Sequence, residues 1–302
     1  MKRIHVKGNT WVLEGPQLVG LYQIDESTCL LLDPGSTKLQ GEIEAALAQA
    51  GLTPVGVLCT HMHYDHHETT RYFRETYGAK TCLPQLEADI VRSEESLKNH
   101  LFNFTMGMIR TIPRLQNLVC PVDRVIAFGE TELVFCGVPL QVVRTPGHAP
   151  DHVCFITPDN VCYTGDALMS QALLDAKLPY GLSIQLAMES RERLRELEDC
   201  DFFIMAHKGV CAGREIGPLI DANQELVRRR AGEIRDLITE PMDFSQICRA
   251  VCTRFSLLTR RPRRALYYER NIRLFVEYLM DQGELGMETR QGTAFYLPSK
   301  KI

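Results

Sequence analysis

The chain has 302 residues, of which 45% are hydrophobic and 24% are charged, an ordinary composition for a soluble globular protein. This length is enough for one large domain and a second, smaller one. The net charge of −4 argues against a general binder of polyanions. Charge is nevertheless uneven, because the segment from Gly213 onward has 16 Lys and Arg against 12 Asp and Glu, while the first 212 residues have 18 against 26.

The sequence carries no recognisable targeting segment. The N-terminus shows no apolar signal stretch, and no run approaches the roughly 18 apolar residues that a membrane-spanning helix needs. The 11 cysteines form no CxxC pair, and most lie inside apolar runs. We therefore expect a cytoplasmic protein with reduced, buried thiols and no membrane partner.

The first part of the chain predicts alternating strands and helices. Residues 10–13, 18–24 and 28–33 have the character of short strands separated by turn residues, which indicates an antiparallel meander. A helix is predicted over 38–50, ending at Gly51, and a buried strand over 55–59. Helices over 68–77 and 85–93 flank a β segment at 80–83, and the less regular residues 94–117 favour a helical hairpin packed on the core.

Further strands are predicted at 132–135, 140–144, 152–156, 161–164 and 201–206. The strand at 201–206 is expected to be the last buried strand, and an amphipathic helix is predicted over 182–197 before it. Beyond Gly217 the predicted elements are mainly helices. They span 219–238, 244–255 and 267–280, and a basic segment at 259–264 separates the last two. A hairpin is predicted after them, at 284–297. Three helices and a hairpin suggest a winged-helix-like module, so we place the domains at 1–217 and 218–302.

The most informative stretch follows the strand at 55–59, where four side chains able to bind metal stand within six residues. Alternation along an extended segment places the first two on one side, and the last two fall where the chain turns into a helix. Packed imidazoles and a carboxylate would otherwise repel one another or leave polar groups unpaired, so this spacing favours a metal site over a structural role. The four residues are His61, His63, Asp65 and His66.

Three more candidates each stand at the C-terminal end of a predicted apolar strand, namely His148, Asp166 and His207. Strand ends that converge on one sheet edge are where α/β proteins build their sites. We expect one site of three nitrogens, a second site of mixed donors, and a carboxylate that bridges them. The first would use His61, His63 and His148, the second Asp65, His66 and His207, and the bridge Asp166.

This donor set suits two divalent metal ions, with zinc as the default and iron or manganese as alternatives. Two cations lower the pKa of a bridging water, and the resulting hydroxide attacks a carbonyl or phosphorus centre without a nucleophilic Ser or Cys. Asp65 is also the candidate catalytic residue, as acceptor of the proton of that water.

These motifs resemble those of the metallo-β-lactamase-fold hydrolase superfamily. The resemblance rests on residues 60–66, 145–148, 163–166 and 206–207, in the family's order, and covers about residues 10–210. It implies an αββα sandwich with a dinuclear site at one edge of the paired sheets. The complete ligand set with Asp166 is similar to that of glyoxalase II-type thioesterases, lactonases and nucleases of this fold. True β-lactamases usually lack that aspartate, so antibiotic hydrolysis is not expected.

The C-terminal region is similar to the β-lactamase-like protein 2 type, through residues 227–230 and 278–285. The favoured function is hydrolysis of a small ester or thioester, although the family's usual C-terminal glutathione-binding pattern is missing. A single-stranded RNA endonuclease is the alternative, because arginines at 228–230 and 260–264 could steer phosphates. A lactonase is the second alternative, disfavoured by Met169 where such enzymes commonly carry tyrosine. The expected partner is a small-molecule substrate, with nucleic acid or a homodimer as the alternatives.

Four features have two readings each. Asp33 is either a carboxylate that orients a ligand histidine or an ordinary turn residue. The apolar residues 101–112 either pack on the core or form a pocket wall. A tyrosine in the site could be supplied by Tyr64 or Tyr180, and Lys208 either contacts an anionic substrate group or points outward.

Overall fold

The computed structural model describes residues 1–299, and two β-sheets packed face to face form its centre. The first sheet has seven strands in sequential order, antiparallel through the first four and parallel from the fourth to the seventh. They are β1 (Lys2–Lys7), β2 (Thr10–Glu14), β3 (Val19–Gln23), β4 (Thr28–Leu32), β5 (Thr53–Leu58), β6 (Lys80–Pro84) and β7 (Arg124–Ile126).

The second sheet has six strands, β8 (Glu132–Phe135), β9 (Val138–Arg144), β10 (Val153–Ile156), β11 (Val161–Gly165), β12 (Phe202–Met205) and β13 (Gly209–Ala212). Their order is β13-β12-β11-β10-β9-β8, and only the β11–β12 pair is parallel. This parallel pair is connected through a helix, as a parallel crossover requires.

Helices cover the outer faces of both sheets. The first sheet carries α1 (Gln40–Ala50), α2 (Tyr64–His67), α3 (Thr70–Tyr77), α4 (Gln85–Val91), α5 (Glu94–His100), α6 (Met106–Thr111) and α7 (Pro113–Gln116). The second sheet carries α8 (Ile184–Arg195) and the start of α9 (Ile216–Arg235).

Strand β4 shows how the sequence produces these layers. Its side chains alternate, so Leu30 and Leu32 pack between the two sheets while Cys29 and Leu31 pack beneath the helices of the first sheet. All four are buried, which explains why the strand reads as a continuous apolar run. The predicted αββα sandwich is thus confirmed.

Several predicted elements differ in extent. Strands β1, β7 and β13 were not predicted, and β13, which has no buried residue, follows the predicted buried strand at 201–206. The predicted hairpin at 94–117 is three short helices. The last helix of the chain begins at Pro262 instead of residue 267, because proline is well suited to the first helical turn, so the basic segment runs into the helix.

The C-terminal region consists of α9, α10 (Phe244–Arg254), α11 (Pro262–Asp281) and a three-stranded sheet ordered β14 (Met242–Asp243), β16 (Thr293–Pro298) and β15 (Leu285–Arg290). The predicted terminal hairpin is confirmed, with Arg290 paired to Thr293. Its winged-helix class stays a prediction. So do the domain limits 1–217 and 218–302, of which residues 300–302 lie outside the described part.

The two regions share packing. Residues Leu219 and Ile220 in the first half of α9 pack on the second sheet, whereas Val227 and Ile234 in its second half join α10 and α11. Ile184 at the start of α8 belongs to this second cluster as well. Within residues 1–299, none of the helices combines the length and apolar character needed to cross a bilayer.

Candidate metal centre

Four strand ends deliver the predicted side chains to one edge of the sheets. The segment after β5 carries the first four candidates, and the segments after β9, β11 and β12 carry one each. The structure brings all seven together in two groups of three with a carboxylate between them. The groups are His61, His63 and His148, then Asp65, His66 and His207, and the carboxylate is Asp166.

The first group is a cluster of three imidazole nitrogens. His63 Nδ1 lies 2.9 Å from His61 Nε2 and 3.0 Å from His148 Nε2. Burial lowers the pKa of all three rings below the ordinary value, and the neighbouring imidazoles lower those of His61 and His63 further. These rings are therefore neutral and direct nitrogen lone pairs toward one point.

The second group is mixed. His207 Nε2 lies 3.5 Å from Asp65 Oδ2, and His66 completes the group. Burial opposes charge on Asp65, but its hydrogen bond with His207 and the charge of His66 hold its pKa below the usual range. Burial likewise disfavours the His207 cation, yet bonds to two carboxylates raise its pKa to about 9.

Asp166 contacts both groups through one oxygen. Its Oδ2 lies 3.3 Å from His148 Nε2, 3.3 Å from His66 Nε2 and 3.4 Å from His207 Nε2. Although burial opposes ionisation, the charge of His66 and the hydrogen bond with His207 keep the Asp166 pKa well below its usual range. One carboxylate oxygen is thus within 3.4 Å of histidine nitrogens from both groups.

Asp33 orients the site, which decides one of the open readings. It is fully buried and accepts hydrogen bonds from the Thr60 amide at 2.7 Å, the Thr60 hydroxyl at 2.7 Å and His66 Nδ1 at 2.8 Å. Because the hydroxyl proton of Thr60 is used in this way, its oxygen accepts from His61 Nδ1 at 2.9 Å. Both rings thus carry Nδ1–H and present Nε2 to the site.

Two glycines allow the loops to approach this closely. At Gly165, with φ +51°, a Cβ would lie 2.4 Å from Thr60 Oγ1 and 2.8 Å from His152 Nε2. At Gly147, with φ +129°, it would lie 2.2 Å from the Ala187 amide nitrogen. Both the backbone conformation and the space therefore require glycine beside Asp166 and His148.

An apolar cavity of about 450 Å³ opens from the metal-centre residues. The C-terminal region supplies part of its wall through Val227 of α9 and through Tyr267, Leu274 and Phe275 of α11. The remaining apolar wall comes mainly from the segment after Asp166 and from α8. A substrate group bound here is therefore enclosed by both parts of the chain.

The segment 101–112 mostly packs on the core. Phe104, Ile109 and Ile112 are buried in the cluster beneath the first sheet, while Phe102 is 64% exposed. Only Leu101 of that segment lines the cavity. The pocket-wall reading is thus wrong for most of the segment.

The structure also distinguishes the positions of Tyr180, Tyr64 and Lys208, for which the sequence left two readings open. The Tyr180 ring centroid lies 5.3 Å from that of His63 and 5.7 Å from that of His148, so Tyr180 faces the site. The Tyr64 ring also lines the cavity but lies under the Arg114 guanidinium, 4.1 Å away. Lys208 is exposed, has φ +62° and does not line the cavity, so it points outward.

Two supporting residues were missed by the sequence analysis. His152 is buried, and its Nε2 accepts a hydrogen bond from the Asp166 amide at 3.2 Å. Glu87 is buried on α4 and accepts hydrogen bonds from the amides of Met62 at 3.1 Å and Asp151 at 2.9 Å, so it ties the two ligand-bearing loops together. The four-residue spacing from His148 hints at His152, whereas no sequence signal marks Glu87.

Two arginines of the predicted phosphate-steering set bond side chains of the C-terminal region itself. Arg228 bonds Gln224 at 2.7 Å, and Arg230 bonds Glu233 at 2.7 Å. Arg260–Arg264 are largely exposed, and none of these arginines lines the cavity. Arg228 and Arg230 are therefore engaged in contacts within the protein.

The residues present fit divalent metal ions. His66 Nε2 is buried and has an ion-pair contact with Asp166 Oδ2 at 3.3 Å, but no hydrogen-bond partner in the described chain. Two carboxylates flank this ring, and they raise its pKa well above the ordinary value against the effect of burial, so the position favours positive charge. Three converging imidazoles, a mixed triad and a carboxylate that contacts both groups form a donor set typical of zinc and similar ions.

Comparison with known proteins places this geometry in a family. The profile described as "Metallo-beta-lactamase superfamily" matches residues 12–207. A "Probable metallo-hydrolase YqgX" of Bacillus subtilis is 29% identical over 196 residues, covering 64% of this chain and 86% of that protein. A "Hydroxyacylglutathione hydrolase" of Rhizobium meliloti is 25% identical over 192 residues, covering 63% of this chain and 62% of that protein, less than two thirds of its length.

Two solved structures extend the likeness into the C-terminal region. A metallo-β-lactamase family protein, TTHA1429 of Thermus thermophilus, has a TM-score of 0.73 at 21% identity and covers 96% of this chain and 98% of its own. A β-lactamase domain protein of Burkholderia ambifaria has a TM-score of 0.73 at 17% identity, with coverage of 98% and 93%. At these identities the likeness concerns the fold alone.

Proposed function

This chain belongs to the metallo-β-lactamase superfamily, and we propose that it is a dinuclear metal-dependent hydrolase of a small ester or thioester. The observation that carries the proposal is the position of Asp166, whose single oxygen lies 3.3–3.4 Å from histidines of both groups. A carboxylate in contact with both groups is expected if each group holds a metal ion. If only one group held an ion, about half of these side chains would have no role in metal binding.

The seven side chains would hold two ions, with zinc the default and iron or manganese as alternatives. His61, His63 and His148 would hold one ion, and Asp65, His66 and His207 the other. Such ions supply Lewis acidity toward a carbonyl oxygen and lower the pKa of a bound water toward neutrality. Asp33 keeps the Nε2 lone pairs of His61 and His66 directed inward through the bonds described above.

Asp65 is proposed as both a ligand and the proton acceptor. Its pKa lies below the ordinary carboxyl value, so it is ionised and able to take a proton near neutral pH. Tyr180 lies beside His63 and His148 at the cavity, where its hydroxyl can contact a substrate oxygen. No Ser or Cys is needed as a nucleophile in this scheme.

The cavity supports the small-ester reading over the endonuclease reading. A volume of about 450 Å³ with apolar walls suits an acyl group. Single-stranded nucleic acid is instead bound in positively charged grooves with stacking platforms, and the arginines at 228–230 and 260–264 do not line this cavity. Relatives named hydroxyacylglutathione hydrolase also favour a thioester. A lactone is the second alternative substrate.

The test combines metal analysis with turnover. We expect about two metal ions per chain in the purified protein, and hydrolysis of a generic thioester or acyl lactone but not of single-stranded RNA. Asp166→Ala should lose an ion and most of the activity, whereas Asp175→Ala, further along the same loop and outside the metal groups, should keep both. A chain that binds no metal, or an Asp166→Ala variant with full metal content and rate, would refute the dinuclear proposal.

A further inference from the structure

We infer that Arg191 binds a carboxylate group of the substrate, so that the substrate is an ester or thioester that also carries a carboxylate. The inference rests on the proposed function and specifies its substrate class. Arg191 lies on α8 and lines the same cavity as the metal-centre residues. It is the only arginine or lysine among residues 1–299 that is buried, with 7% of its surface exposed.

The guanidinium group of Arg191 is largely unpaired. Its Nε donates to the Ala167 carbonyl at 3.2 Å, whereas its Nη1 is buried without a hydrogen-bond partner in the described chain. No carboxylate in residues 1–299 forms an ion pair with it, and the adjacent Glu192 is already engaged by Arg195 and Gln224. Burial by itself lowers the Arg191 pKa to about 10, which still leaves the group charged near neutral pH.

Such an arrangement is costly unless an anion completes it. A buried charge without a partner destabilises a protein, and natural chains rarely retain one. The one hydrogen bond to the Ala167 carbonyl does not explain why an arginine is buried at this position. A neutral donor such as glutamine would make the same hydrogen bond without burying a charge. The planar guanidinium is instead suited to two parallel hydrogen bonds with a carboxylate.

The position of Arg191 relative to the metal-centre residues indicates where the carboxylate and the reacting carbonyl of the substrate would lie. Ala167, whose carbonyl it contacts, directly follows Asp166. Leu168 and Met169 of the same segment, and Ala187 one turn earlier on α8, form apolar cavity wall. A substrate with its reacting carbonyl at Asp166 can therefore place a carboxylate at Arg191 and its hydrocarbon part against the remaining wall.

Binding of two matched probes tests this without turnover. We would titrate the full-length protein, as purified, with 4-phenylbutyrate and with neutral 4-phenylbutanamide in a calorimeter. Because a hydrogen bond between charged groups is worth about 10- to 100-fold in affinity, the carboxylate should bind that much more tightly than the amide. Arg191→Met should abolish the preference, and Arg191→Lys should retain part of it.

The control is Arg193→Met, which makes the same charge change on the same helix. Arg193 is exposed, donates to the Arg144 carbonyl at 3.0 Å and does not line the cavity, so the preference should be unchanged. Removing an unpaired buried charge should also leave the Arg191→Met chain folded, as circular dichroism would check. The inference is overturned if Arg191→Met keeps the carboxylate preference, or if the wild-type protein binds both probes equally or binds neither.

Kinetics separate this inference from the proposed function. With a mono-4-nitrophenyl glutarate and a neutral 4-nitrophenyl pentanoate as substrates, Arg191→Met should raise KM about 10- to 100-fold for the first and leave the second unchanged. If binding shows a carboxylate preference that depends on Arg191 but neither ester is hydrolysed, the anion site is supported and the hydrolase proposal is refuted. Equal loss of both activities in Arg191→Met would instead assign the residue a purely structural role.

Discussion

Replacing Asp33 by Asn should weaken metal binding while keeping the fold. The Asp33 carboxylate accepts three hydrogen bonds, from the Thr60 amide, the Thr60 hydroxyl and His66 Nδ1. The amide of asparagine has one acceptor oxygen, so its NH₂ group must face one of these donors. Loss of such a supporting partner typically lowers metal affinity about 10- to 100-fold, or about 1.4–2.8 kcal/mol.

The assay is zinc competition against a chromophoric chelator, with urea unfolding of the chelated protein measured in parallel. Asp25→Asn is the matched control, because Asp25 also accepts amide and hydroxyl bonds, from Ser27 and Thr28, but in an exposed turn. Its zinc affinity should equal that of the wild type. An Asp33→Asn protein that binds both ions with wild-type affinity would refute the proposed orienting role.

Three further predictions concern the loops, a buried carboxyl group and the cavity. Gly165→Ala should abolish tight metal binding, since the new Cβ would lie 2.4 Å from Thr60 Oγ1; metal analysis of the purified variant checks this. Burial raises the Glu87 pKa to about 7, so its contribution to the free energy of unfolding is fully present below its unfolded value near 4.5 and is lost as pH rises toward 7. That change amounts to about 3.5 kcal/mol at about 1.4 kcal/mol per pKa unit, and urea unfolding of chelated wild-type and Glu87→Gln proteins from about pH 4 to 8 should show it only in the wild type. Leu274→Trp should fill part of the cavity and weaken hydrolysis of longer acyl esters by about fourfold per displaced methylene, measured as kcat/KM along an acyl series.

Each of these predictions has a control that separates it from general damage. Gly78→Ala carries the same left-handed backbone, φ +68°, but its Cβ would meet nothing within 4 Å, so it should keep its metal. A stability difference between wild type and Glu87→Gln that does not vary with pH would contradict the raised pKa. Leu258→Trp, at a site 76% exposed, should leave the acyl series unchanged. Equal loss for acetyl and long-chain esters in Leu274→Trp would argue against a role in chain length.

The sequence alone determined most strands and helices and the seven side chains of the candidate centre, and its resemblance to a known family implied the layered fold. Their residue types and their positions after apolar runs are local features, and a strand end places its following residue at a sheet edge whatever the distant chain does. Turn and helix-end signals were local too, as at Gly51 and at the Gln291-Gly292 turn. Edge strands such as β1, with few buried side chains, lack this periodic signal and were missed.

Only the tertiary structure decided what surrounds those candidate ligands. Asp33 and Glu87 act on backbone and side-chain groups that are remote in sequence, and whether such a carboxyl group is a surface charge or a buried acceptor depends on the burial created by long-range packing. The same holds for Arg191, which in the sequence is one of several charged residues on an amphipathic helix. Its buried, unpaired state exists because α8 packs against the second sheet beneath the C-terminal helices, which also close the cavity. Spacing in the chain encodes which atoms can bind a metal, whereas burial and charge compensation arise only when the layers meet.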